Sequence, residues 1–165
     1  MDRIIIFIDN SNIFKGFRKY NIKADYEKLK YIITKNRKLE GIFLYEGAIY
    51  PMSPEKKKWY EDLNVKSGYT IRVSFDKIVL NETFEKKVDI IIAIDIISLA
   101  YENAYDTAIL VSGDGDFIPV VKKVKELDKK IELWAFKYSL SNALKEELRH
   151  EDINYLDDIL NEIKI

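Results

Sequence analysis

The sequence predicts an α/β fold with a mostly parallel central sheet and helices on both of its faces. Short apolar runs rich in β-branched residues alternate with longer segments in which apolar residues recur at helical spacing. The runs at residues 4–8 and 108–111 are continuously apolar, which is typical of strands buried on both faces. The chain has 165 residues, of which 47% are hydrophobic and 33% are charged, so we expect a single globular domain over residues 1–165.

Capping residues divide the first half of the chain into elements. Asp25 and Ser53 are expected helix N-caps, and Pro54 suits the first helical position after Ser53. The Ser-Gly pair at 67–68 is expected to end that helix. The predicted elements are, in order, a strand at 3–8, a helix from 10–12 to 20, a helix from 25 to about 37, a strand at 40–50 and a helix at about 55–64.

The second half continues the alternation of strands and helices. The long apolar segment at 86–104 exceeds strand length, so we interpret it as a buried helix. Ser141 is the expected cap of a late helix. The remaining predicted elements are two short strands at 70–75 and 77–80 that suggest a hairpin, a strand at 108–111, a helix from 117, a strand at 130–136 and an amphipathic segment at 153–165.

The loop SGDGD at residues 112–116 is the most informative stretch. It joins the strand at 108–111 to a helix, which is the place where open α/β sheets bind ligands. Its two glycines are expected to permit a sharp turn and to leave room for a ligand. Right-handed crossovers place the ends of this strand and of the first strand at the same edge of the sheet. If these strands are neighbours, Asp9 and Asp114 converge in one crevice.

Five aspartates are candidates for such a crevice. Crowded carboxylates repel one another, and a bound cation is the usual means of neutralising them. Oxygen-only ligands select Mg²⁺ or Mn²⁺, and those ions assist phosphodiester hydrolysis. The candidates are Asp9, Asp89, Asp95, Asp114 and Asp116.

The aspartates differ in their expected roles. Asp89 and Asp95 are six residues apart, which places them about 120° apart around a helix, so both cannot face one ion. We favour Asp89 as the ligand because it falls near the predicted helix start, and we expect Asp95 in an outer shell or on the substrate side. Asp9 has N-capping as its alternative role, and Asp116 is expected either as a ligand or as the cap of the helix that begins at Phe117.

Basic residues near these positions are candidates for substrate binding. Lys15, Arg18 and Lys19 follow Asp9 closely, so we expect them to line the crevice and contact a phosphate backbone. The run KKKWY at 56–60 either binds nucleic acid or forms a solvated helix face with its tryptophan turned inward. His150 and the lysine pairs at 122–123 and 129–130 are expected to be plain surface.

Three blocks of the sequence resemble the signature blocks of the NYN domain family, in its LabA-like (DUF88) branch within the PIN-like nuclease superfamily. They are FIDNSN at 7–12, KKVDIIIAID at 86–95 and AILVSGDGDFIPVV at 108–121, and Lys87 stands where the family often has glycine. The resemblance implies a three-layer α/β/α, PIN-like (Rossmann-like) fold and a metal-dependent ribonuclease. It assigns metal binding to aspartates and substrate or water contacts to polar residues of the first and third blocks. The metal set is Asp9, Asp89 and Asp114, with Asp116 beside them, and the polar set is Asn12 and Ser112. Asn10 is a further candidate for substrate contact.

The sequence therefore predicts an Mg²⁺- or Mn²⁺-dependent nuclease that acts on single-stranded or structured RNA, with DNA as the alternative substrate. A non-catalytic RNA-binding or regulatory module is a second interpretation. A small-nucleotide phosphohydrolase is a third, and it is disfavoured because no P-loop glycine motif and no Asp-x-Asp pair follow the first strand.

Composition bounds location and partners. No apolar run approaches 18 residues, so no membrane span is expected, and the absence of cysteine fits a cytoplasmic location. The net charge of −1 restricts any nucleic-acid contact to a local basic surface. The apolar segment at 99–105 suits either a homodimer face or core packing.

Overall fold

The computed structural model describes residues 1–49, 51–76 and 81–165, without side chains at 49, 75, 76 and 81–86. Strands and helices alternate along the described chain. The strands are β1 (Arg3–Asp9), β2 (Lys38–Ile49), β3 (Thr70–Asp76), β4 (Thr107–Val111), β5 (Lys130–Ala135) and β6 (Ile153–Tyr155). The helices are α1 (Asn10–Lys19), α2 (Tyr26–Thr34), α3 (Pro54–Ser67), α4 (Asn81–Tyr101), α5 (Ile118–Glu126), α6 (Asn142–Glu146) and α7 (Leu160–Ile163).

The six strands form one parallel sheet in the order β3-β2-β1-β4-β5-β6. The chain leaves β1 towards β2 on one side and later returns to its other side as β4. The strand order therefore reverses between β1 and β4, and the crevice at that point is where doubly wound folds bind ligands. The predicted α/β/α fold is confirmed.

Successive residues of β1 explain why its sequence is continuously apolar. Ile4, Ile6 and Ile8 belong to one hydrophobic core, whereas Ile5 and Phe7 belong to a second core on the opposite face. Side chains of α1, α2, α3 and α7 fill the first core. Side chains of α4, α5 and α6 fill the second. Because both faces are covered, neither set of alternate residues can be polar.

The predicted caps of three helices are confirmed. Asp25, Ser53 and Ser141 each accept a hydrogen bond from a backbone N–H of the following first turn. Gly68 ends α3 in the left-handed conformation, with φ of 73°. Local side-chain chemistry therefore fixes these helix ends.

Two element predictions need correction, and a third is only partly tested. Helix α4 begins at Asn81, not near residue 86, and ends at Tyr101. The segment after residue 152 contributes the short strand β6, which pairs with β5 before the chain turns into α7. The strand at 70–75 is β3, parallel to β2, while the strand predicted at 77–80 and its hairpin lie outside the described residues. None of the described helices has the length and apolar character that a membrane span requires.

Candidate metal and nuclease site

A small acidic pocket lies where β1 and β4 end. Its cavity measures about 30 Å³, which is room for an ion or a water molecule. The residues that line it come from the ends of β1, α1, α4 and the loop after β4: Asp9, Ser11, Asn12, Lys15, Val88, Asp89 and Asp114. Three carboxylates and one lysine give this lining an excess of negative charge.

Asp9 anchors the β1 side of this acidic pocket. It is the last residue of β1 and is only 4% exposed. Its Oδ1 accepts a hydrogen bond from the backbone N–H of Asn12 at 3.4 Å, so Asp9 also caps α1. Its Oδ2 accepts from the hydroxyl of Ser112 at 2.9 Å. A buried carboxylate held on both oxygens has a fixed orientation.

Ser112 links the two strand ends. Its fully buried hydroxyl donates to Asp9 and accepts from the backbone N–H of Asp114 at 3.2 Å. The backbone N–H of Gly113 donates to Asn12 Oδ1 at 3.2 Å. The loop after β4 is therefore tied directly to the loop after β1. In this structure Ser112 and Asn12 hold the two loops together through these hydrogen bonds, and Ser112 also fixes the carboxylate of Asp9.

Gly113 and Gly115 leave space that another segment of the same chain occupies. A Cβ at Gly113 would lie 3.1 Å from Ser139 O, and a Cβ at Gly115 would lie 2.8 Å from Ser141 Oγ. Neither glycine has positive φ. The expected room for a ligand is thus filled by the segment 139–141, whose Ser141 N–H donates to Gly113 O at 3.0 Å.

The capping role expected of Asp116 belongs to Asp114. Asp114 is the cap of the short 3₁₀ turn Gly115–Phe117, because its Oδ1 accepts from the backbone N–H of Asp116 at 2.9 Å. Helix α5 has no side-chain cap at all. The prediction that Asp116 caps the following helix is therefore wrong.

Asp89, Asp114 and Asp116 form a cluster that suits a cation. Each offers a carboxylate oxygen, and these oxygens lie within 4.8 Å of one another. Burial is the main cause that raises the pKa of Asp89 to about 8, and the neighbouring charges of Asp9, Asp114 and Asp116 contribute to the same shift. Ionised carboxylates this close together repel one another, and a bound cation would offset that repulsion. Because all the donors are oxygens, a hard divalent cation fits the cluster.

Asp89 lines the acidic pocket. The prediction that it lies near the start of its helix is wrong. Asp89 lies eight residues after the first residue of α4, so the helix-terminal dipole does not reach it. Asp95 does not line this pocket. Its Oδ2 accepts from the hydroxyl of Tyr45 at 2.8 Å and pairs with Arg72 at 3.2 Å. The helical twist between the two aspartates separates them, as the spacing indicates.

Asn10 and Arg18 also lie outside the acidic pocket. Asn10 is buried, accepts a hydrogen bond from the hydroxyl of Tyr26 and donates to Glu46 Oε1 at 3.2 Å. Arg18 lines a separate, larger groove. Among the basic candidates on α1, Lys15 is the one that lines the acidic pocket.

Glu46 is a buried carboxylate that was not among the site residues predicted from the sequence. It is 7% exposed, accepts from Lys56 Nζ at 2.8 Å and also accepts from the hydroxyl of Tyr60. A charged residue inside the apolar β2 run was the available signal. The residues of the KKKWY segment lie in two different environments. Lys56 and Trp59 line the larger groove, whereas Lys58 is exposed and forms a salt bridge with Asp62 at 3.2 Å.

The fold and the pocket together define an α/β/α protein with a carboxylate cluster at its topological switch point. A sequence model of the NYN domain matches residues 3–157, and the chain belongs to the NYN domain family. This family lies within the PIN-like nuclease superfamily, so a nuclease-related role is supported. The predicted family is confirmed.

Two relatives and one solved structure extend the comparison. The chain is 27% identical over 170 residues to the low amplitude and bright protein LabA of Synechococcus elongatus, covering 98% of this chain and 86% of that protein. It is 25% identical over 151 residues to an uncharacterised protein of Methanocaldococcus jannaschii, covering 87% of this chain and 51% of that protein. A crystal structure of a protein of unknown function from Vibrio parahaemolyticus matches with a TM-score of 0.81 at 22% identity, covering 99% and 96% of the two chains, and it supports the fold.

Proposed function

We propose that this chain is an Mg²⁺- or Mn²⁺-dependent nuclease that hydrolyses phosphodiester bonds in RNA. The observation that carries the proposal is the cluster of Asp89, Asp114 and Asp116, with ligand oxygens within 4.8 Å, beside the buried Asp9. Membership of a nuclease-like family supports the reaction class. The oxygen-only donor set supports the choice of cation.

The residues of the acidic pocket have distinct parts in this proposal. When bound, a divalent cation makes a water molecule a stronger nucleophile and offsets negative charge on the phosphate. Asp89, Asp114 and Asp116 would hold the ion, and Asp9 adds a fourth carboxylate whose orientation Ser112 fixes at 2.9 Å. Lys15 brings a positive charge to the wall of the pocket, where it attracts the substrate phosphate.

The variant Asp114→Asn tests the proposal. Asparagine keeps an acceptor oxygen for the backbone N–H of Asp116, so the turn at Gly115–Phe117 should persist. It removes one ligand charge, and we expect Mn²⁺-dependent cleavage of end-labelled single-stranded RNA to fall by on the order of 100-fold or more. Circular dichroism checks the fold, and a DNA strand of the same sequence measures the preference for RNA.

Asp128→Asn is the matched control, because Asp128 is exposed and lies outside the acidic pocket. It should cleave like the wild type. Unchanged cleavage by Asp114→Asn would remove the catalytic assignment. RNA binding without cleavage by the wild type would favour a regulatory module, and turnover of mononucleotides alone would favour a phosphohydrolase.

A further inference from the structure

A second cavity lies beside the acidic pocket and is much larger. It measures about 780 Å³, within the range of pockets that hold small organic ligands. It opens between α1 and the beginning of α3. Its walls combine aromatic and cationic side chains, including Phe14, Arg18, Lys23, Lys56 and Trp59. We call it the aromatic groove.

Helix α1 separates the aromatic groove from the acidic pocket. Ser11 and Lys15 line the pocket, whereas Phe14 and Arg18 line the groove. Helical geometry sets the mean directions of these two pairs of residues roughly 60° apart around the helix axis. The two cavities therefore lie on adjoining faces of α1.

The aromatic side chains of the groove are placed for stacking. Phe14 is 49% exposed, although it is a large apolar residue. Trp59 is half-buried, and its ring meets Tyr26 edge-on with centroids 5.3 Å apart. An accessible phenyl ring and a tryptophan held by packing can take up the face of a base without sequence preference.

The charges of the groove complement a phosphate backbone. Arg18 and Lys23 are exposed cations on its wall, and Lys56 is held there by Glu46 at 2.8 Å. Glu55 is the acidic side chain among the residues that line the groove. In a chain of net charge −1, this is a local positive surface of the kind that binds phosphates.

We propose that the aromatic groove binds an unpaired base of the substrate strand, with Phe14 and Trp59 contacting the base and Arg18 and Lys23 contacting its phosphates. The inference rests on the proposed function, because the same strand would cross α1 to reach the acidic pocket. The occupant is single-stranded RNA.

Binding is measured apart from cleavage, with the Asp114→Asn protein in EDTA and a fluorescein-labelled oligouridylate followed by anisotropy. Phe14→Ala should raise Kd about 10-fold, which is the effect of losing one base–aromatic stack. The control is Tyr31→Ala, since Tyr31 is 79% exposed on α2 and does not line the groove. Its Kd should not change.

The cations are tested with a charge-matched pair of variants. Arg18→Ala with Lys23→Ala should weaken binding and lower the slope of log Kd against log salt by about 1.4, which is about 0.7 for each lost contact with a single strand. Lys57→Ala with Lys145→Ala removes the same charge from exposed residues outside the groove and should leave the slope unchanged. RNA should also quench tryptophan emission, and Trp59→Phe should abolish the quenching because Trp134 is buried.

Three binding results would overturn the groove assignment. They are no RNA binding, equal Kd values for the groove and control variants, and equally tight binding of duplex RNA. The proposed function fails separately: if wild type never cleaves RNA while Phe14→Ala still weakens binding, the groove assignment stands alone. If RNA is cleaved with the same KM by Phe14→Ala and wild type, the groove assignment is wrong and the nuclease stands.

Discussion

At the scale of single residues, Asp89 determines how the acidic pocket responds to pH. Burial and the charges of Asp9, Asp114 and Asp116 raise its pKa to about 8 from an ordinary value of 3.8. Between these values the folded protein holds a proton that the unfolded chain has released. Without a cation, the contribution of Asp89 to the free energy of unfolding therefore falls as pH rises from about 4 to 8.

Asp89→Asn removes this titration. We expect the variant to exceed wild type in free energy of unfolding at pH 8 by on the order of 1–2 kcal/mol, after allowing for solvent screening of a half-buried group. The difference should vanish near pH 4, where both proteins are neutral at this position. Urea denaturation in EDTA at both pH values measures it. Equal stability at pH 8 would contradict the assigned environment, and Asp128→Asn provides the surface control.

Residue type and position along a strand identified part of the pocket from sequence. Asp9 ends β1 and Asp114 lies in the loop after β4, and parallel pairing of β1 with β4 brings those strand ends together. Asn10 follows β1 equally closely, yet the first turn of α1 directs it towards Glu46. Side-chain direction after a strand depends on the local backbone, which residue identity alone does not specify.

At the scale of elements, the contact between α1 and β5 depends on one glycine. A Cβ at Gly16 would lie 2.1 Å from the ring of Phe136, which is fully buried just after β5. That ring also meets Phe17 edge-on, with centroids 5.4 Å apart. Helix α1 carries Lys15 and begins at the cap Asp9, so its seating controls the geometry of the pocket.

Gly16→Ala should destabilise the protein by about 1–3 kcal/mol, because the buried ring must move to accept the methyl group. Thermal and urea denaturation measure the loss. Gly41→Ala is the matched control, since its added Cβ would meet Phe43 at an ordinary 3.5 Å and should change stability by less than about 0.5 kcal/mol. Equal effects of the two variants would show that the contact is not restrictive.

Helix α4 presents an exposed apolar stripe. Ile90, Ile94 and Tyr101 are 58%, 56% and 65% exposed and lie within roughly 40° of one another around the helix. Tyr105, from the segment expected to form either a dimer face or core, is buried. An antiparallel pair of α4 helices about a two-fold axis would set each Ile90 near Tyr101 of the other copy and cover both stripes, which is the homodimer that the sequence leaves open.

Ile94→Glu tests whether this stripe forms a homodimer face: in a dimer paired through α4 it would bury two unpaired carboxylates, so the variant should be monomeric. Sedimentation equilibrium at micromolar protein measures the change. Tyr31→Glu is the control, since Tyr31 is 79% exposed on α2. A wild-type protein that sediments as a monomer would contradict self-association through α4.

Element boundaries were predictable where a side chain caps its own helix, and unpredictable where distant packing decides. The hydroxyl of Ser141 and the carboxylate of Asp25 act within three residues of their own position. Strand β6 has three residues and exists because it pairs with β5. A pairing of that length leaves no alternation for a sequence pattern to reveal.

At the scale of the whole molecule, strand order explains why the acidic residues meet. The reversal between β1 and β4 opens a crevice at the ends of these two strands. Alternation of strands and helices predicted the layers and the parallel sheet. It did not predict which strands are neighbours, nor that the chain segment 139–141 packs under the loop after β4.

The central claim is that this crevice holds a divalent cation on carboxylate oxygens. A crystal of the wild-type protein soaked in Mn²⁺ tests it most directly, through the anomalous difference map. We expect a peak about 2.0–2.3 Å from oxygens of Asp89 and Asp114, with Asp116 or Asp9 completing the protein ligands. A map without a peak among these four carboxylates, at a pH where Asp89 is ionised, would contradict the account.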